Sequence, residues 1–149
     1  MRMPRIKDNT IMRMTRIKDN TIIYPELSYK ICGLFFSIHK KLGRYRNEKQ
    51  YSDAFEALVK ENKIKYVREK SLPVSFKGEQ ARRNILDFLI DDKIIVDIKS
   101  KDFITKEDYF QMQRYLQSCN KKLGLIVNFR QKYLYPKRIL NKNFSQHSY

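Results

Sequence analysis

Cysteine is nearly missing from this 149-residue chain, which has only Cys32 and Cys119. Neither sits in a Cys-x-x-Cys or Cys/His arrangement. That excludes a zinc site of the usual spacing and leaves both as buried free thiols of a cytosolic protein. No apolar run approaches the ~20 residues that cross a bilayer. The basic N-terminus lacks the apolar centre of a signal peptide, so a soluble, cytoplasmic protein with no membrane partner is expected. Acids are the other shortage: 16 Asp and Glu stand against 32 Lys and Arg, a net charge of +16. The first 22 residues hold 6 basic and 2 acidic side chains, so the other 127 still carry +12. The excess therefore belongs to the folded part. A polyanion is the natural partner, and nucleic acid suits better than a membrane surface because no strongly basic amphipathic helix stands out.

What is plentiful is apolar and aromatic. Hydrophobic residues make up 42% of the chain, with 10 Tyr and 9 Phe, enough for one domain with its own core. Residues 1–22 are a tandem copy, MRMPRIKDNTI followed by MRMTRIKDNTI, differing only at Pro4 and Thr15. Two copies of so short a period do not make a solenoid, and this segment is expected to be poorly ordered and dispensable. The domain is expected over 23–141, followed by a polar tail over 142–149. A first helix opens at Pro25 and Glu26 and ends near Gly43, with an apolar stripe of Leu27, Ile31, Leu34, Phe35, Ile38 and Leu42. A second runs from about Asn47 to Asn62 and buries Tyr51, Phe55, Leu58 and Val59. Strands are expected at Lys65–Arg68 and Leu72–Phe76. After them come a third helix from about Lys106 to Ser118, a buried strand at Leu123–Phe129 and an edge strand within Tyr133–Leu140. The last helix is then a crossover in a mixed sheet flanked by helices, an α/β fold.

The stretch Asn84–Ser100, NILDFLIDDKIIVDIKS, carries the chemistry. Two short runs rich in Ile flank a polar corner, the pattern of an antiparallel hairpin covered on both faces. An acid inside such a strand is costly unless something pairs with it, yet each run holds one, Asp87 and Asp97. Side chains alternate along a strand, so Asp97 and Lys99 share a face. A three-residue corner, Asp91–Lys93, sets Asp87 opposite Asp97; a two-residue corner sets it opposite Val96. Directly opposed carboxylates lie ~5 Å apart at Cβ and share one divalent cation readily. The plainer alternative is that both acids are solubilising charges or partners of Lys99 and Arg83.

Taken together, SIHKKLGRYRNEKQYSDAFEALV, ILDFLIDDKIIVDIKS and QMQRYLQSCNKKLGLIVNF resemble the PD-(D/E)XK nuclease superfamily, and within it the GxxExxY protein family. The likeness spans about Tyr24 to Asn141. It implies a restriction-endonuclease-like fold and a metal-dependent nuclease using Mg²⁺ or Mn²⁺ on nucleic acid, DNA by analogy. Asp87 and Asp97 then resemble the metal-binding acids, joined by the carbonyl of Ile98. Lys99 resembles the lysine that positions or activates the attacking water, and Glu48 the acid of the GxxExxY motif. Tyr51 closes that motif, while Gln111 and Tyr115 resemble a Gln-x-x-x-Tyr element that approaches the substrate. The chain departs from the pattern at Tyr45, where the motif has glycine, at Tyr109–Phe110, where Glu-Ala is usual, and in having no proline before Asp87. The competing expectation is a catalytically inactive nuclease-fold protein that binds nucleic acid or a protein partner.

Overall fold

The computed structural model describes residues 22–144, so the duplicated segment up to Thr21 and the last residues of the tail lie outside it. Its elements are α1 (Pro25–Leu42), α2 (Glu48–Glu61), β1 (Tyr66–Ser71), β2 (Ile85–Ile90), β3 (Ile94–Lys99), α3 (Lys106–Cys119), β4 (Leu123–Asn128) and β5 (Lys137–Leu140). Proline begins α1 and Gly43, at φ 78°, ends it. Asn47 and Gln50 form a reciprocal capping box at the start of α2. That cap satisfies backbone donors which would otherwise be left without partners. Among the described residues, no helix is long and apolar enough to cross a membrane.

The strands form one five-stranded sheet in the order β1-β2-β3-β4-β5. β3 and β4 are parallel and joined by α3, while the other pairs are antiparallel. The mixed α/β sheet expected from the sequence is therefore present. One expected strand is not. Leu72–Phe76 leaves the sheet after Leu72 N–H bonds Asn84 O at 2.9 Å. Pro73 has no N–H to continue the ladder, and Ser75 turns back to Glu79 through both its N–H and its hydroxyl.

Helices α1 and α2 cover one face of the sheet. Phe35, Phe55 and Tyr51 pack there against Phe88, Val96, Val127 and Phe129. Helix α3 covers the other, bringing Met112, Tyr115 and Leu116 onto Leu89, Ile95 and Ile126. Gly124 permits this close approach, since a Cβ there would overlap the Met112 sulfur. Strands sheltered on both sides need no polar alternation, which is why β4 is buried throughout.

Candidate active site

The hairpin corner is the three-residue one. Asp91 and Asp92 both adopt left-handed φ values of 52° and 56°, a conformation aspartate tolerates better than most residues. Lys93 N–H closes the turn onto Ile90 O at 2.9 Å. The register that follows is Ile90↔Ile94, Leu89↔Ile95 and Phe88↔Val96. Continued one step, it sets Asp87 opposite Asp97, but β2 leaves the ladder at that point. The next donor of β3, Ile98 N–H, bonds the Asp87 carboxylate at 2.8 Å. On the other side of β2, the pairing with β1 likewise skips Glu69 and Asp87, where Glu69 takes a left-handed φ of 56°. A glutamate in that conformation costs roughly 1 kcal/mol or more. The strain falls beside Asp87 and frees its side chain from the regular pleat.

Asp97 is 5% exposed. Burial first, and the Asp87 carboxylate second, push its carboxyl up to about 8 against the pull of Lys99. Its Oδ2 has no hydrogen-bond partner. Lys99 Nζ stands 3.3 Å from that oxygen, in ion-pair range but without hydrogen-bond geometry. Burial works against the Lys99 ammonium too. Asp97 and Asp108, with Glu48 contributing less, outweigh it and hold the lysine above its ordinary value. Lys99 also reaches Gln111 Oε1 at 3.4 Å and Asp108 Oδ1 at 3.7 Å. It is a fixed cation at neutral pH.

Other expected residues converge less evenly. Glu48, at the first position of α2, accepts from Ser100 N–H at 3.3 Å, so the helix start is aimed at the end of β3. Tyr115 lies against the pair of acids: burial, then Asp97 and Asp87, push its phenol up. Tyr51 is brought to the neighbourhood but not to the surface. It is fully buried, its ring stacked on Phe129 at a centroid distance of 4.3 Å. Its hydroxyl donates to Gly43 O at 2.6 Å and accepts from Arg46 N–H at 3.2 Å. Tyr51 thus holds the loop between α1 and α2 in shape rather than meeting a substrate.

Asp108 escaped the sequence reading. It accepts from Thr105 N–H at 2.7 Å as a capping residue of α3 and pairs with Lys101 at 2.7 Å. Lys101, Thr105 and Lys99 together overcome its burial and hold its carboxyl below the ordinary range. Its signal was the spacing: Asp108, Gln111 and Tyr115 are three and four apart, one face of a helix. Asn128 was also missed. It brackets the strand end, accepting from Lys101 N–H at 3.1 Å and donating to Lys101 O at 2.7 Å.

Among the described residues, no three His, Cys, Asp or Glu side chains gather at one point. The oxygen donors at hand are the carboxylates of Asp87 and Asp97. A divalent cation fits this set. It would give Asp97 Oδ2, which has only the Lys99 ion pair and no hydrogen bond, a second partner and relieve the repulsion between the two acids. All-oxygen donors suit a hard cation such as Mg²⁺ or Mn²⁺.

No curated protein matches the chain. The sequence pattern of the PD-(D/E)XK nuclease superfamily matches residues 25–139, from the start of α1 to β5. The fold is accordingly restriction-endonuclease-like, and the chain belongs to the PD-(D/E)XK nuclease superfamily.

Proposed function

We propose that this protein is a metal-dependent nuclease that hydrolyses phosphodiester bonds of nucleic acid, DNA in the first instance, with 23–141 as its nuclease unit. The observation that carries this is the buried Asp97 carboxylate beside Asp87: its Oδ2 has an ion pair with Lys99 at 3.3 Å but no hydrogen bond. One lysine shared with Asp108 does not balance two neighbouring acids. Asp87, Asp97 and the carbonyl of Ile98 would hold Mg²⁺ or Mn²⁺. Ile98 N–H points to Asp87, and in a strand the carbonyl of the same residue points to the same side. When bound, such a cation polarises a phosphodiester and lowers the pKa of a water.

The chain's own groups do the rest. The Lys99 ammonium, held charged by Asp97 and Asp108, orients the attacking water and offsets charge developing on the phosphate. Gln111 fixes the lysine by accepting from Nζ. Glu48 anchors Ser100, the residue after Lys99, and adds negative charge on that flank. Gln111 and Tyr115 line the approach of the substrate from α3. The spacing of Glu48 and Tyr51 supports placement in the GxxExxY family, with Tyr45 in the glycine position. The same Tyr45 favours the competing reading, a binding protein that no longer cuts.

Titration calorimetry with Mg²⁺ and Mn²⁺ tests the proposal, comparing the wild type with the Asp87→Asn/Asp97→Asn double variant. Binding by the wild type alone, followed by metal-dependent cleavage of DNA or RNA that EDTA stops, supports it. A wild type that takes up no cation even with nucleic acid present leaves only the binding protein.

A further inference from the structure

The loop between α1 and α2 presents a large aromatic ring where the family motif has glycine. Tyr45 is 77% exposed, yet the backbone around it is pinned. Tyr51 holds Gly43 and Arg46 from beneath. Arg44 Nε donates to Arg130 O at 2.8 Å, and Arg130 Nε returns a bond to Arg44 O at 2.9 Å. The two guanidinium carbons stand 5.2 Å and 6.0 Å from the Tyr45 ring centroid. Both guanidiniums border a ring that is still mostly open to solvent.

This cluster is wired to the end of β3. Arg130 Nη2 donates to Ser100 Oγ at 3.1 Å, and that hydroxyl donates to Arg46 O at 2.7 Å. Ser100 follows Lys99 directly. Arg44 spends only Nε in this framework; its other four N–H groups have no hydrogen-bond partner among the described residues. Guanidinium groups with free donors bind phosphate bidentately. An exposed, immobilised ring offers a π-face to a base, and only a base outside a continuous stack can take it. Exposed Tyr133 and Tyr135 differ, each having only a nearby lysine against its ring.

We propose that Tyr45, bordered by Arg44 and Arg130, is a stacking platform for an unpaired base adjoining the scissile phosphate. The preferred substrate class is then nucleic acid with a single-stranded nucleotide at the cut, such as a strand, overhang or flap, over uninterrupted duplex. The assignment of the platform to a cut rests on the nuclease reading above; its affinity for an unpaired base does not.

The experiment is fluorescence anisotropy in EDTA, using labelled single-stranded DNA, single-stranded RNA and blunt duplex DNA with the full chain. Tyr45→Ala is expected to weaken single-strand binding by roughly 5- to 150-fold, the worth of one stacked base. Tyr45→Phe keeps the ring and should bind within about twofold of wild type, with blunt duplex equally indifferent to either change. The tighter of the DNA and RNA strands identifies the sugar. Unchanged single-strand binding by Tyr45→Ala, equal losses on strand and duplex, or a wild type that binds no single strand would each overturn the platform. Melting curves confirm that the variants fold. Tyr45-dependent binding by a chain that cuts nothing keeps the platform and removes the nuclease. Cleavage with Tyr45-independent binding does the reverse.

Discussion

The two faces of the sheet are built on opposite terms. Under α1 and α2, aromatic rings meet edge to face and stacked, as Phe55 does with Phe88 and Tyr51 with Phe129. Under α3, the apolar packing of Leu89, Ile95 and Met112 gives way at one end to Asp97, Lys99, Asp108 and Gln111. The first face is finished without a ligand. The second keeps a buried carboxylate oxygen that has an ion pair with Lys99 but no hydrogen bond. A fold of marginal stability carries such a defect only where the rest of the core holds it in place, and here the aromatic face supplies that support.

Substitutions on the two faces should therefore separate stability from chemistry. Phe35→Ala removes a fully buried ring in contact with Phe55 and Phe129. It is expected to cost about 3–5 kcal/mol in urea unfolding, and to reduce activity only by depopulating the folded chain. Asp97→Asn should act in the reverse sense. Metal-dependent cleavage falls by roughly 10²–10³-fold or more, the scale of losing a transition-state stabiliser. At pH 8 and above the metal-free chain melts no lower than wild type, because there the wild type must bury an ionised Asp97 beside Asp87. A large loss of stability in Asp97→Asn would show that the acid is structural, and the contrast between the faces would collapse.

The pH dependence sharpens the same contrast. Asp97 has its carboxyl raised to about 8 in the folded chain by burial and by Asp87, from an ordinary value near 4 when unfolded. Its contribution to stability is full below that ordinary value, where both states are protonated. It is lost progressively as pH rises toward 8, since the unfolded chain ionises first. Melting temperatures in EDTA should show this decline in the wild type. The decline should be shallower in Asp97→Asn, and Mg²⁺ should restore stability most at the alkaline end. Parallel curves for the two chains would dispose of the idea.

Much of this arrangement was legible from the sequence because it follows from period-two alternation. The hairpin over Ile85–Lys99 and the shared face of Asp97 and Lys99 needed nothing else. Alternation leaves the corner open between two and three residues, and the pairing of Ile90 with Ile94 decides for three. What alternation cannot express is departure from the pleat. Asp87 quits the ladder and bonds Ile98 N–H, at the step where Glu69 of β1 takes a left-handed φ and drops out of the pairing on the other side. Leu72–Phe76 looked like a strand by composition, but Pro73 and the Ser75–Glu79 bonds end the pairing. Asp108, unread in the sequence, caps the start of α3. Its second role, as an ion partner of Lys99, exists only because α3 lies over the end of β3.

The smallest expected effect tests where the border between the faces runs. Glu48 comes from α2, a helix of the aromatic face, yet its carboxylate reaches Ser100 at the end of β3. It is exposed, and it accepts one backbone bond at 3.3 Å. Glu48→Gln keeps an oxygen for that bond and removes only the charge near Lys99. If Glu48 orients the strand end without touching the cation, turnover should fall by about tenfold, the lower end for an outer partner of a metal site. Cation affinity from calorimetry should change little. A loss as great as that of Asp97→Asn, with matching loss of cation affinity, would make Glu48 a third ligand. The metal would then lie between the two layers, and α2 would belong to the active site as fully as α3.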